Sequence, residues 1–331
     1  AFGLPLVEDA TALGLLIQSF ERFQKPMTEN NRKQALVPKG SMVLQNRAGT
    51  APGIIIEGKQ ATAILLPGPP NELIPMFHEQ VAPYLKTRSD ATLFSKMIKI
   101  VGVGESAVET MILDLIQGQT NPTIATYAKT GEVHVRITAF AKTQELAMEY
   151  IQPLIDIMNE RFTYHIFAYD EDTTLEQAII LKLKEMNATI STAESCTGGL
   201  LAGRIINASG ASVVYNEGFI TYSNASKVKN LFVNEASIEE YGVVSEVVAK
   251  EMAKGCRIQT GSSFALSTTG IAGPNGGTTD KPVGTVCIGC SFEQETVAKQ
   301  FRLSGTREKI REVAVNRALV YLWDIIGGHI N

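Results

Sequence analysis

Long hydrophobic runs, a basic charge excess and clustered cysteine are all scarce in this chain. No apolar stretch approaches the roughly 20 residues that a membrane-spanning helix needs, and nothing at the start reads as a secretory signal, so a membrane role is disfavoured and a cytoplasmic location is the default expectation. The formal charge of -4 and a sequence pI near 5.7 leave no global positive field, which disfavours nucleic acid as the main partner. Of the four cysteines, Cys196, Cys256, Cys287 and Cys290, the last two form a single CxxC inside a run that reads as a buried strand. Residues three apart on a strand point to opposite faces, so this pair is poorly placed to chelate a metal. Repeats and low-complexity tracts are absent too. The chain opens on Ala1 rather than methionine, and a processed or truncated piece is the expectation.

What is present is an ordinary globular composition, 44% hydrophobic over 331 residues, enough for two or three domains. Residues 1–88 read as α/β: helical apolar spacing over 10–23, a strand over 59–66 and a helix over 71–85. Between the latter two stands Leu66-Pro67-Gly68-Pro69-Pro70-Asn71-Glu72-Leu73, a stiff turn that either faces a ligand or merely starts a helix. Residues 89–168 change to a small α+β unit, with strands over 94–103 and 132–141 and helices over 106–117 and 144–162. His134 lies inside an alternating strand and reads as structural. A short acidic linker, residues 169–174, opens a third region over 169–331 in which strands alternate with helices. That pattern implies a sheet covered on both faces, with ligands at the carboxyl ends of its strands.

The first strand of this region, residues 188–193, runs into Ala193-Glu194-Ser195-Cys196-Thr197-Gly198-Gly199 and then a helix over 200–207. Hydroxyls and unpaired N–H groups gather there at a helix N-terminus, which suits an anion. Ser195 is therefore a candidate nucleophile, although serines in such turns mostly cap helices. After the next strand, Tyr222 and Lys227 supply a phenol and an amine. A lysine made less basic by burial takes a proton from serine in Ser–Lys hydrolases, whereas an ordinary lysine here is a solvated helix residue. Thr269-Gly270-Ile271-Ala272-Gly273-Pro274-Asn275-Gly276-Gly277 follows another strand and offers backbone N–H groups to an anionic oxygen. Arg307 and Arg311 suit phosphate recognition and are equally compatible with a helix surface.

Taken in order, Ala193-Glu194-Ser195-Cys196-Thr197-Gly198-Gly199, Gly218-Phe219-Ile220-Thr221-Tyr222-Ser223-Asn224, Gly242-Val243-Val244-Ser245-Glu246, Gly270-Ile271-Ala272-Gly273-Pro274 and Lys281-Pro282-Val283-Gly284-Thr285-Val286 resemble the C-terminal domain of the CinA family of competence/damage-inducible proteins. Upstream, Met27-Thr28-Glu29-Asn30-Asn31-Arg32, Asn46-Arg47-Ala48-Gly49-Thr50-Ala51-Pro52-Gly53 and the Pro67-Gly68-Pro69-Pro70 turn are similar to the second half of that family's molybdopterin-binding-like domain. Residues 89–168 take the place of its KH-like domain.

The resemblance implies a multidomain α/β protein: a partial molybdopterin-binding-like domain, a KH-like α+β spacer and a C-terminal layered α/β amidase. The last domain stands alone as nicotinamide-nucleotide amidase, so the implied reaction is hydrolysis of nicotinamide mononucleotide to nicotinic acid mononucleotide and ammonia. Ser195 is then the nucleophile, Lys227 the base and Tyr222 a hydrogen-bonding assistant. N–H groups from Cys196, Thr197, Gly198 and Gly199 hold the oxyanion, and Thr269, Gly270, Ala272, Gly273 and Arg307 contact the substrate. The amidase needs no cofactor. A divalent metal belongs only to an intact N-terminal ADP-ribose pyrophosphatase site, part of which precedes the first residue in the family. That pyrophosphatase is the alternative activity, a non-enzymatic role beside competence or repair proteins is the alternative class, and a homodimer is the expected assembly.

Overall fold

A computed structural model describes residues 2–89 and 91–328. It divides into two compact units, Ala1–Thr92 and Leu93–Asn331. Among the described residues no helix is long and apolar enough to cross a membrane. The multidomain α/β class is as the motifs imply, with several separate sheets.

The first unit runs β1 (Leu6–Glu8), α1 (Ala10–Arg22), α2 (Glu29–Arg32), β2 (Leu36–Pro38), β3 (Met42–Leu44), β4 (Gly53–Glu57), β5 (Thr62–Leu65), α3 (Pro70–Met76) and α4 (Ala82–Lys86). Strands β3, β4 and β5 form an antiparallel meander, and β1 pairs with β2. The single helix expected over 71–85 is interrupted by a π turn at Phe77–Val81. Pro75 and Pro83 each lack an N–H, and the wider turn accommodates the broken ladder. Two of the N-terminal motifs meet in space, because Asn46 donates to Glu72 at 2.6 Å while its Oδ1 accepts from the N–H groups of Ala48 and Gly49.

The second unit begins with a four-stranded sheet of β6 (Thr92–Val101), β7 (Thr123–Lys129), β8 (Glu132–Ala141) and β9 (Ile166–Ala168), ordered β7-β8-β6-β9. Helices α5 (Glu105–Met111), α6 (Leu113–Ile116) and α7 (Gln144–Phe162) accompany it. Alternation along β8 buries Val133, Val135, Ile137, Ala139 and Ala141 against Ile151, Ile155 and Met158 of α7. The expected helix over 106–117 breaks at Ile112, which leaves helical geometry at φ -117°, ψ 12° with its side chain fully buried in this core. The acidic linker is anchored by Lys99, which is buried and donates to the carbonyls of Glu171 and Thr173 at 2.6 and 2.8 Å.

The rest of the unit comprises α8 (Leu175–Glu185), β10 (Ile190–Glu194), α9 (Leu200–Ile206), β11 (Tyr215–Ile220), α10 (Asn224–Leu231), α11 (Glu235–Tyr241), α12 (Glu246–Thr260), β12 (Phe264–Gly270), β13 (Thr285–Phe292), β14 (Glu295–Arg302) and α13 (Arg307–Ile326). Its sheet has the order β11-β10-β12-β13-β14. The first three strands are parallel and the last two join antiparallel, so the sheet is mixed. The reason is the connections: a parallel return needs a long crossover, whereas β13 turns directly into β14 with Phe292 opposite Glu295. Helix α12 packs on one face, and α8, α9 and α13 enclose the larger core on the other. Cys287 and Cys290 fall into cores on opposite faces of β13. The three parallel strands end at one edge, bringing Ser195, Thr221 and Gly270 together from distant parts of the chain.

One close approach holds this edge in place. A Cβ at Gly255 of α12 would lie 1.8 Å from the carbonyl oxygen of Leu231, the last residue of α10. Gly255→Ala is therefore expected to lower unfolding free energy in urea by about 1–3 kcal/mol, through displacement of the helix that carries Lys227.

Candidate active site

Strand β10 delivers Ser195 to the sheet edge, where its N–H continues the pairing by donating to the Thr268 carbonyl at 2.9 Å. The chain then turns through Gly198 and Gly199, at φ +59° and +93°; both lie in the left-handed region that favours glycine, the second more strongly. Lys227 arrives on α10, whose N-cap Ser223 accepts from the Ser226 N–H at 3.1 Å. The lysine side chain bends back under the strand ends and is 1% exposed.

There Lys227 Nζ meets Ser195 Oγ at 3.0 Å, the Thr221 carbonyl at 2.8 Å and the Tyr222 carbonyl at 3.3 Å. A neutral amine has two hydrogens and one lone pair. Two carbonyls and a hydroxyl match that inventory, with the lone pair left to receive the serine proton. Burial pushes the amine from its ordinary 10.5 down to about 8. The one opposing influence is a charged Cys196, and burial holds that thiol up at about 12, uncharged at neutral pH. Cys196 is accordingly no rival nucleophile.

Glu194 braces the site and was passed over by motif reading, although it stands inside the quoted motif. It is 1% exposed, and its carboxylate accepts from the N–H groups of Gly199, Leu201 and Ala202 at 2.9, 3.1 and 2.8 Å. The anion at the N-terminus of α9 is thus the protein's own. This corrects the expected oxyanion set: Gly199 is committed to Glu194. The N–H groups of Cys196, Thr197 and Gly198 make no hydrogen bond to another residue among the described residues, so the open donors lie in the turn ahead of the helix.

The pocket over Ser195 has a volume of about 160 Å³. Of the sequence candidates, Ser195, Cys196, Tyr222, Lys227, Thr269, Gly270, Ala272 and Arg307 line it. Thr197, Gly198, Gly199 and Gly273 do not. Thr197 is buried with its hydroxyl on Thr268 at 2.7 Å, and Gly273 offers its carbonyl to Arg307 at 2.7 Å. The Thr269 hydroxyl donates to the Val243 carbonyl at 2.9 Å, bracing the wall. Tyr222 is 65% exposed, and its hydroxyl accepts from Arg307 at 3.3 Å. It meets Lys227 through its carbonyl, not through the phenol that hydrogen-bonded assistance required. Asn224, Val243 and Val244 also line the pocket. They belong to the motifs quoted above, yet neither type nor spacing marks them as chemical. Arg311 holds the turn from behind, donating to the Cys196 and Thr197 carbonyls at 3.0 and 2.8 Å.

Residues 172–326 match the CinA C-terminal domain and residues 95–168 match the damage-inducible protein CinA KH domain. A provisionally named competence-damage inducible protein from Clostridium botulinum is 48% identical over 300 residues, 91% of this chain and 73% of its own length. The chain belongs to the CinA family. A second such relative, from Clostridium acetobutylicum, is 45% identical over 307 residues, 93% of this chain and 74% of its own length. Among solved structures, a CinA superfamily protein from Escherichia coli shares 34% identity over 46% of this chain and 88% of its own, with a TM-score of 0.45. Ser195, Lys227, Glu194 and the pocket walls all fall within the matched CinA C-terminal segment.

Two measurements probe this geometry. Glu194→Gln retains one acceptor oxygen and replaces the other with a donor, stranding at least one buried N–H, and is expected to cost about 1.5–3 kcal/mol in urea unfolding. For Lys227 the folded-state amine titrates near 8 and the unfolded one near 10.5. Between those values the unfolded chain binds the extra proton, so stability rises with pH across that window, by about 3 kcal/mol in total. The difference between wild type and Lys227→Met, measured by unfolding at pH 7 and at pH 10.5, is expected to show that rise.

Proposed function

We propose that the C-terminal domain is a Ser–Lys amidase that hydrolyses the carboxamide of nicotinamide mononucleotide to nicotinic acid mononucleotide and ammonia. The observation that carries the reading is the buried Lys227 amine, lowered to about 8 and 3.0 Å from Ser195 Oγ, with two carbonyls placed to take its hydrogens. The choice of substrate rests on the CinA resemblance. Ser195 Oγ attacks the carboxamide carbon while its proton passes to Lys227 Nζ, and the carbonyl oxygen becomes an oxyanion beside Cys196, the residue after Ser195 that lines the pocket. One donor at such a position is commonly worth about 3 kcal/mol in the transition state. Collapse of the tetrahedral intermediate expels the nitrogen, which leaves as ammonia with the proton from Lys227 and an ester on Ser195. Water then attacks the ester, Lys227 takes the water proton, and Ser195 leaves as a hydroxyl with the nicotinate carboxylate released.

The cavity of about 160 Å³ suits the reacting ring rather than a whole nucleotide. Val243 and Val244 provide an apolar side for a flat ring, and the ribose phosphate lies toward Arg307, which lines the pocket.

Ammonia release from nicotinamide mononucleotide tests the proposal. Ser195→Ala and Lys227→Ala are each expected to lower kcat/KM by about 1,000-fold or more, and wild-type kcat/KM is expected to rise with pH through about 8 as the amine loses its proton. Near wild-type turnover in either variant, or no ammonia from the folded wild type, contradicts it.

A further inference from the structure

Asn224 lines the pocket over Ser195, yet no step of the proposed reaction uses it. It is the first residue of α10 and stands three before Lys227. Residues three apart on a helix share a face, with Cβ atoms about 5–6 Å apart, so Asn224 and Lys227 are neighbours on the wall of one pocket. The Asn224 side-chain amide makes no hydrogen bond among the described residues. The helix does not need it either, because Ser223 is the N-cap and its hydroxyl accepts from the Ser226 N–H at 3.1 Å. Asparagine is also a poorer helix former than alanine, which leaves this exposed amide without a structural task.

The other polar side chains of the pocket are engaged. Lys227 is held by the Thr221 and Tyr222 carbonyls and by Ser195 Oγ. The Thr269 hydroxyl donates to the Val243 carbonyl, and Arg307 donates to the Gly273 carbonyl and the Tyr222 hydroxyl. A carboxamide brings one carbonyl oxygen and two N–H donors. In the proposed reaction the oxygen lies beside Cys196, and the nitrogen must come within reach of Lys227 Nζ, which returns the proton as ammonia departs. An N–H in that position needs an acceptor, and the unengaged side-chain carbonyl on the helix that carries Lys227 is that of Asn224.

We propose that Asn224 is a specificity-determining residue for carboxamides: Oδ1 accepts an N–H of the scissile amide and holds the leaving nitrogen beside Lys227. The inference rests on the amidase reading of this pocket. It separates amides from esters of the same acid, since an ester has no N–H at its leaving atom and offers only a weakly accepting alkoxy oxygen. Either substrate leaves the same nicotinate ester on Ser195, so a difference between them arises no later than the departure of the leaving group.

The test compares ammonia release from nicotinamide mononucleotide with methanol release from the methyl ester of nicotinic acid mononucleotide, by the full chain and its Asn224→Ala variant. The variant is expected to lose about 10- to 100-fold in kcat/KM on the amide and less than about threefold on the ester. Its urea unfolding is expected to match wild type, because Ser223 keeps the cap. A parallel loss on both substrates, or undiminished turnover of the amide, overturns the inference and leaves the amidase reading standing. No turnover of either substrate by the folded wild type overturns the two together.

Discussion

The structure of the C-terminal domain depends on keeping one lysine amine out of water beside one serine. An ammonium so placed loses hydration that two backbone carbonyls and a hydroxyl only partly replace, and the result is an amine that titrates near 8. Those carbonyls belong to Thr221 and Tyr222, just beyond the end of β11, and Ser195 lies just beyond the end of β10. Register between two adjacent parallel strands therefore sets the distance between Ser195 and Lys227: Glu194 pairs with Ile220, and the Thr221 N–H donates to the Glu194 carbonyl at 2.8 Å. A slip of one residue would carry Ser195 to the other face of the sheet.

Glu194 is the second constraint, and it acts through both its backbone and its side chain. Its carbonyl secures Thr221, and its carboxylate satisfies the first turn of α9, so one buried residue joins the lysine cage to the helix behind Ser195. Arg311 completes the arrangement by drawing on the carbonyls of Cys196 and Thr197. The carbonyls of the turn are thus held from behind and the helix that follows it is already capped.

Much of this was legible beforehand where local rules act alone. The alternation of Val133, Val135 and Ile137 marks β8, and the apolar period over 144–162 marks α7, with Thr143 as its cap. Short or interrupted elements were less legible. The three-residue strands and the π turn between α3 and α4 carry too few side chains for a period to show, and Ile112 breaks a helix because its side chain is needed in a core formed by residues far along the chain. At the site, Ser195 and Lys227 stood out by residue type. Glu194 did not, because a glutamate just before a helix reads as surface until three amides are seen to converge on it.

The sequence by itself determined the order of elements, the turn that the paired glycines 198 and 199 favour, and the family to which the motifs point. Each of these is local: a period, a backbone conformation or a run of residues. Tertiary structure alone decided that Lys227 is buried rather than solvated, that Tyr222 contributes its carbonyl rather than its phenol, and that the anion at the helix terminus is Glu194 rather than a ligand. Those outcomes depend on burial and on contacts across 32 positions between Ser195 and Lys227 and 115 between Cys196 and Arg311. Dielectric environment and hydrogen-bond partners are properties of the packed chain, and no residue carries them alone.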